Sequence, residues 1–249
     1  RTLCLCFCIL AISQPQKIDS KQHKYKQGIN IMLILDLSQS MLEQDLLPNR
    51  LEAAKKTMRQ FIKKRTNDQL GLVVFGQDAY TSCPLTTDLS LLDTFVSRFT
   101  IGTVNPYGTA IGLAIATAIN RLNDTSKSNI AILLTDGLNN AGNIDPITAT
   151  SLAKEKNIKL YTIGVGKNKD YNAELLQTIA SNTNGLFYEA KNTKALEEIY
   201  KEINQLERHE IKQTHRFNTI ELYPYFLTFA ILCLLIELIL TQLVIVRIP

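Results

Sequence analysis

The sequence is poor in the residues that most often carry enzymatic chemistry. Its 249 residues include no tryptophan, three histidines and five cysteines. The histidines, His23, His209 and His215, all lie in polar segments that flank the central part of the chain. Because a catalytic thiol needs a base such as histidine beside it, this distribution argues against a cysteine nucleophile at Cys83.

The cysteines also give no disulfide framework. Cys4, Cys6 and Cys8 lie in an apolar run at the N-terminus, and Cys233 lies in another near the C-terminus. Only Cys83 belongs to the central part, so it is predicted to be a partly buried structural residue.

A dense basic block is missing too. The formal net charge of +4 is spread along the chain, which argues against a surface for nucleic acid. The lysines are predicted to lie on solvated helix faces.

One long apolar stretch stands near the C-terminus. It runs from Phe226 to Val246, about the 20 residues that cross a bilayer. Tyr223 and Tyr225 precede it and Arg247 follows it, as is usual for residues at membrane interfaces. Residues 223–247 are therefore predicted to form a transmembrane helix that contacts membrane lipid.

The apolar run at the N-terminus is too short to span a membrane alone. Residues 1–13 are predicted to be either a partial transmembrane helix or a signal peptide with a cleavage site near Ala11. Either alternative puts Arg1 and Arg247 across the membrane from the central domain. The positive-inside rule then places that domain outside the cytoplasm.

Between these segments, short apolar runs alternate with helical periodicity. Residues 14–29 are predicted to be a linker, 30–206 a globular domain and 207–222 a polar stalk. The alternation predicts an α/β fold, a doubly wound and mostly parallel sheet flanked by helices. The predicted strands are 30–35, 69–75, 79–82, 130–135, 158–165 and 185–189, and the predicted helices are 50–64, 89–99, 109–122, 171–181 and 193–206, with a further helix capped by Asp145 and Pro146.

Two of the predicted strands lead directly into an aspartate. Asp36 follows the apolar run that starts at Asn30, and Asp136 follows the run that starts at Ile130. Open α/β sheets bind ligands at the carboxyl ends of their strands. Because two carboxylates brought together there repel each other, a divalent cation between them is predicted.

Hydroxyl groups complete this candidate metal site. Ser38 and Ser40 follow Asp36 at intervals of two residues, which lets both side chains turn to one side. Thr109 opens the helix between the two strands. Three hydroxyls and two carboxylates, without cysteine or histidine, favour Mg²⁺, Mn²⁺ or Ca²⁺ over zinc or copper.

In this order, Asp36, Ser38, Ser40, Thr109 and Asp136 resemble the metal-ion-dependent adhesion site (MIDAS) of von Willebrand factor type A (VWA) domains. Tyr107 stands where an acidic residue often precedes Gly-Thr in that family. Four further segments are similar to the membrane-anchored bacterial subgroup called BatA, after Bacteroides aerotolerance: 71–75, 83–86, 134–142 and 161–166.

The resemblance implies a Rossmann-like fold and a protein that binds partners rather than an enzyme. It implies that Ser38 and Ser40 bind the metal directly, that Thr109 does so in one state, and that the aspartates act directly or through water. A partner's Asp or Glu carboxylate would fill the open coordination position. The resemblance further implies sibling VWA or Bat proteins and a MoxR-type AAA+ ATPase as partners, in a stress or aerotolerance complex of the bacterial inner membrane.

Two alternatives come from other functional classes. One is a metal-dependent phosphoryl-transfer enzyme, but phosphatases of the haloacid dehalogenase type need a second acid two residues after the first, where this chain has Ser38. The other is a structural membrane protein whose metal site is vestigial. The presence of all five ligand positions argues against the second alternative.

Overall fold

The computed structural model describes residues 9–19, 28–122, 127–166, 171–211 and 218–244. The chain forms two compact units: one lies within Lys26–Lys212, and the other is made of the terminal segments Arg1–Tyr25 and Gln213–Pro249.

The described strands are β1 (Gln16–Asp19), β2 (Asn30–Asp36), β3 (Gln69–Phe75), β4 (Ala79–Thr86), β5 (Asn129–Thr135), β6 (Ile158–Val165), β7 (Phe187–Ala190) and β8 (Asn218–Glu221). The described helices are α1 (Arg50–Lys63), α2 (Leu89–Arg98), α3 (Ile111–Arg121), α4 (Pro146–Glu155), α5 (Ala173–Asn182), α6 (Thr193–Ile211) and α7 (Tyr223–Val244).

The central unit is built on one six-stranded sheet with the order β4-β3-β2-β5-β6-β7. Every neighbouring pair is parallel except β3 and β4, which are antiparallel. The predicted mostly parallel α/β sheet is therefore confirmed. β2 lies between β3 and β5, so the chain runs outward on one side of β2 and returns to its other side. This reversal is the topological switch point, where open α/β sheets bind ligands.

The apolar strands bury both faces of the sheet. Ile31, Leu33 and Leu35 of β2 belong to one core cluster, whereas Met32 and Ile34 belong to the other. Successive strand side chains point to opposite faces, so a continuous apolar run serves two cores. Helices α1, α2 and α6 contribute to the first core, and helices α3, α4 and α5 contribute to the second.

Helix α4 starts with the predicted cap, and α1 starts with a cap of the same kind. The Asp145 carboxylate accepts a hydrogen bond from the backbone N–H of Thr148 at 3.0 Å, with Pro146 at the first helical position of α4. The Asn49 side chain likewise accepts from the N–H of Glu52 at 2.7 Å and caps α1. Each cap satisfies a backbone donor that has no partner inside its helix.

Edge strand β4 is longer than the predicted 79–82. Its pairing with β3 continues from Ala79 to Thr86, with two register shifts on the way. Pro84 lies inside it, which an edge strand tolerates because one of its sides needs no ladder hydrogen bonds. Cys83 on β4 is 1% exposed and has no disulfide partner. Burial raises the pKa of its thiol, which disfavours the thiolate.

The terminal unit contains part of the predicted linker and part of the predicted stalk. β1 lies within residues 14–29 and pairs antiparallel with β8, which lies within residues 207–222. In the central unit, helix α6 continues past the predicted end at residue 206 to Ile211. Helix α7 has 22 residues, about 33 Å at 1.5 Å per residue. It is long and apolar enough to cross a membrane. Residues 1–8 and 245–247 of the two predicted membrane segments lie outside the described residues.

Candidate functional site

The end of β2 forms the first part of the site. The backbone N–H of Leu37 donates to the carbonyl of Phe75 at 2.7 Å and extends the pairing with β3 by one residue. The chain then turns, and the N–H of Ser38 donates to Asp36 Oδ1 at 2.8 Å. A 3₁₀ turn over Gln39–Leu42 follows. This turn brings the Ser38 and Ser40 hydroxyl oxygens within 3.1 Å of each other.

The end of β5 supplies the second part. Ser40 Oγ donates to Asp136 Oδ1 at 2.6 Å. Thr135 Oγ1 donates to Asp36 Oδ2 at 2.6 Å. These hydrogen bonds join residues nearly a hundred positions apart in the chain, because β2 and β5 are neighbouring parallel strands. Thr135 takes part in the site, although it is not among the five residues predicted from the sequence.

Thr109 comes from a third loop, just before α3. Its N–H donates to Asn140 Oδ1 at 2.8 Å, and the Asn140 N–H donates to the Thr109 carbonyl at 3.1 Å. A Cβ atom added to Gly137 would stand 3.0 Å from Thr109 Oγ1. The threonine side chain therefore packs against the backbone that follows Asp136. The structure thus brings all five predicted residues to one edge of the sheet.

Both aspartates are buried. Each accepts a hydrogen bond from a hydroxyl group, and each lies near the other carboxylate. Asp36 is 0% and Asp136 is 1% exposed. Burial, followed by the charge of Asp136, raises the pKa of Asp36. Burial also raises the pKa of Asp136, against the opposing hydrogen bonds from Ser40 and Arg50. Two carboxylates in such surroundings are stabilised by a nearby cation.

Arg50 supplies one such cation, and the sequence analysis does not identify it. Its Nη1 donates to Asp136 Oδ2 at 2.9 Å. Its Nε and Nη2 donate to the two Asp45 oxygens, each at 2.9 Å, and Nη2 lies 2.6 Å from Glu43 Oε2. We call these four residues the Arg50 cluster. Nothing in the helical pattern of α1 distinguishes Arg50 from the exposed basic residues of the same helix.

The donor set suits a hard divalent cation. The atoms gathered at the edge of the sheet are hydroxyl and carboxylate oxygens, which Mg²⁺, Mn²⁺ and Ca²⁺ prefer. The absence of a Cβ at Gly137 leaves room for the Thr109 hydroxyl. In the described parts of the chain, no three His, Cys, Asp or Glu side chains form a group able to hold a metal. Any ion here would depend on the three hydroxyls as well as the two carboxylates.

Comparison with known proteins identifies the family. Residues 30–202 match the von Willebrand factor type A domain. An uncharacterized protein from Borreliella burgdorferi is 28% identical over 257 residues, which cover 94% of this chain and 75% of that protein. A UPF0353 protein from Mycolicibacterium paratuberculosis is 33% identical over 150 residues. That match covers 55% of this chain and 44% of the relative, so the chain spans less than half of that protein.

Two solved structures share the fold at 28% identity. BatB from Bacteroides thetaiotaomicron matches with a TM-score of 0.63. The match covers 73% of this chain and 100% of the BatB chain. An aerotolerance-related membrane protein from Bacteroides fragilis has a TM-score of 0.62 and is covered completely by 75% of this chain. These matches confirm the resemblance that the sequence motifs indicate. The chain therefore belongs to the von Willebrand factor type A domain family.

Proposed function

We propose that this chain is a membrane-anchored VWA domain that captures protein partners through a hard divalent cation, Mg²⁺, Mn²⁺ or Ca²⁺. Asp36, Ser38, Ser40, Thr109 and Asp136 would hold the ion, the three hydroxyls as direct ligands and the two aspartates directly or through water. The observation that supports this function most directly is the convergence of those oxygen donors from three loops at the switch point of the sheet.

The chemistry of the donors also indicates what the partner offers. Hydroxyl ligands are neutral, so an ion held mainly by Ser38, Ser40 and Thr109 retains net positive charge. Such an ion attracts an acidic side chain. We therefore propose that the partner contributes an Asp or Glu carboxylate to the ion.

We further propose that the protein is not an enzyme. An aspartate nucleophile for phosphoryl transfer would need a second acid in position to move protons. The residue two positions after Asp36 is Ser38, whose N–H and hydroxyl contact Asp36 and Ser40. Turnover of a generic phosphoester that is lost in the Asp36→Asn variant would contradict this proposal.

The proposed location is the bacterial inner membrane, with the VWA domain on the extracytoplasmic side. Helix α7 is long and apolar enough to anchor the chain, and the similar protein from Bacteroides fragilis is an aerotolerance-related membrane protein. We propose a BatA-like role in a stress or aerotolerance complex, with sibling Bat proteins and a MoxR-type ATPase as partners. Labelling of an engineered surface cysteine from each side of the membrane tests the orientation.

Metal binding is tested by thermal unfolding of the full-length chain in detergent micelles. A ligand that binds only the folded state at about 100 times its Kd stabilises it by about 2.7 kcal/mol. We expect Mg²⁺ to raise Tm for the wild type, with little or no rise for Ser38→Ala and Thr109→Ala. Ser97→Ala is the matched control, because Ser97 is an exposed serine on α2. Equal rises in all four proteins would contradict the proposed ligands.

Partner capture is tested on membrane extracts with the same four proteins. We expect proteins to be retained by the wild type and by Ser97→Ala in Mg²⁺, and released by EDTA. Ser38→Ala and Thr109→Ala should retain none of them, because the ion that the partner's carboxylate binds is missing. A set of captured proteins that is unchanged by EDTA and by both variants would contradict capture through the metal.

A further inference from the structure

Arg50 lies where a helix does not favour a cation. It is the first residue of α1, at the helix end whose free N–H groups carry partial positive charge. Its side chain is nevertheless only 1% exposed. A buried charge is tolerated only when opposite charges and hydrogen bonds surround it. The position of Arg50 is therefore explained by its carboxylate partners rather than by the helix.

The partners fix the direction in which the guanidinium points. Asp45 accepts from Nε and Nη2, both at 2.9 Å, in a bidentate contact along one edge of the guanidinium plane. Glu43 lies 2.6 Å from Nη2. This arrangement leaves Nη1 to donate to Asp136 Oδ2 at 2.9 Å. Asp45 and Glu43 thus hold the arginine, and the arginine holds Asp136.

Both carboxylate oxygens of Asp136 accept a hydrogen bond. Oδ2 accepts from Arg50, and Oδ1 accepts from Ser40 Oγ at 2.6 Å. A serine hydroxyl has one proton to donate and two lone pairs to share. Ser40 can therefore offer a lone pair to a cation while its O–H donates to Asp136. In this arrangement Asp136 supports a ligand of the ion without being a ligand itself.

We propose that Arg50 is a positioning residue that holds Asp136 as the hydrogen-bond acceptor of Ser40 and keeps this carboxylate from binding the cation directly. The inference rests on the proposed function and concerns the same site. Because Asp136 stays off the ion and Arg50 adds positive charge nearby, the ion itself is bound less tightly. The ion also keeps more of its charge for a partner's acidic side chain.

The test is the affinity of the full-length chain for Mn²⁺ alone, in detergent micelles, with free Mn²⁺ measured by electron paramagnetic resonance. Arg50→Gln should bind Mn²⁺ about tenfold more tightly or better, because a nearby positive charge is lost and Asp136 is free to reach the ion. Arg50→Lys loses the bidentate contact but keeps the positive charge beside Asp136, and should stay within about threefold of the wild type. In Asp45→Asn the amide oxygen still accepts one hydrogen bond from the arginine and Glu43 remains, so Arg50 keeps its place; its charge is less neutralised, which should weaken Mn²⁺ binding about threefold.

Arg59→Gln is the matched control. Arg59 lies on the same helix and binds Asp93 through the same two nitrogens, Nε and Nη2, but away from the site. Its loss should leave the Mn²⁺ affinity within about twofold of the wild type. A purely structural role for Arg50 predicts a loss of stability in Arg50→Gln with no gain in affinity.

The outcomes separate this inference from the proposed function. If the wild type does not bind Mn²⁺, the proposed function fails and the inference fails with it. If the wild type binds and folded Arg50→Gln binds equally or more weakly, only the inference is overturned. Should Arg50→Gln not fold, Asp45→Asn decides, since unchanged or tighter binding by that variant overturns the inference.

Discussion

Helix α1 carries two arginine–aspartate contacts that are alike in geometry and opposite in environment. In the middle of the helix, Arg59 binds Asp93 through Nε and Nη2 at 2.7 and 2.8 Å. At its start, Arg50 binds Asp45 through the same two nitrogens, both at 2.9 Å. The Arg59 side chain is 40% exposed, whereas that of Arg50 is 1% exposed.

Because the two pairs share one contact geometry, we expect burial to decide what each of them contributes to stability. Two exposed charged side chains give up contacts with water to contact each other, so such a pair contributes only about 0–1 kcal/mol to the free energy of unfolding. A buried charge is no longer solvated by water, so the loss of any one of its charged partners destabilises the fold strongly. Arg50 also reaches a third carboxylate, Asp136, and thereby connects the start of α1 to the proposed metal site. Arg59 makes no such connection in the contacts described for it.

The largest expected effect comes from removing the buried cation. Arg50→Met should lower the free energy of unfolding by about 3–5 kcal/mol, because Asp45 and Asp136 are left without their positive charge. Arg59→Met, the control, should lose about 1 kcal/mol or less. Urea unfolding in EDTA, followed by circular dichroism, measures both. A loss below about 1 kcal/mol for Arg50→Met would mean that burial does not separate the two pairs.

A double-mutant cycle between Arg50 and Asp45 sharpens the comparison. The coupling free energy should be on the order of 1–3 kcal/mol, because the two side chains share two hydrogen bonds in a site with little water. The single variants are Arg50→Met and Asp45→Asn, and the double variant completes the cycle. Unfolding in urea gives each value. Additive losses would show that Arg50 is stabilised by its other partners and not by Asp45.

The fold and the convergence of the five predicted site residues could be inferred from sequence because both rest on local patterns. The apolar runs that end in Asp36 and Asp136 identify buried strands, and the spacing of Ser38 and Ser40 places both hydroxyls in the loop that follows. Parallel strands end at the same edge of a sheet, so these loops meet. That rule alone is enough to predict that the five residues converge.

The Arg50 cluster could not be inferred in this way. Arg50 stands at the start of a helix rich in lysine and arginine, and its sequence neighbours resemble those of an exposed residue. Its burial depends on the loop that brings Asp45 over it and on Asp136 from a distant strand. The pairing of β1 with β8 was missed for a similar reason, because it joins two polar segments that carry no apolar alternation.

A smaller effect is expected for the coupling between Arg59 and Asp93. Its value should be about 0.2–1 kcal/mol, because water screens the two charges and competes for their hydrogen bonds. The cycle uses Arg59→Gln, Asp93→Asn and the double variant. A coupling as large as that between Arg50 and Asp45 would show that bidentate geometry outweighs exposure.

The smallest expected effect is the response of the exposed pair to pH. The hydrogen bond and charge of Arg59 lower the pKa of Asp93 below the usual 3.8. A carboxylate with a lowered pKa stabilises the fold above the pKa of the unfolded chain, and this contribution is lost as the pH falls through the folded pKa. The stability difference between wild type and Asp93→Asn, a few tenths of a kcal/mol at pH 7, should therefore shrink as the pH falls through the lowered pKa of Asp93 in the folded protein, and vanish once this carboxyl is protonated in both states. Urea unfolding at a series of pH values measures that difference. If the difference persisted at the lowest pH, it would have to come from packing of the Asp93 side chain rather than from its charge.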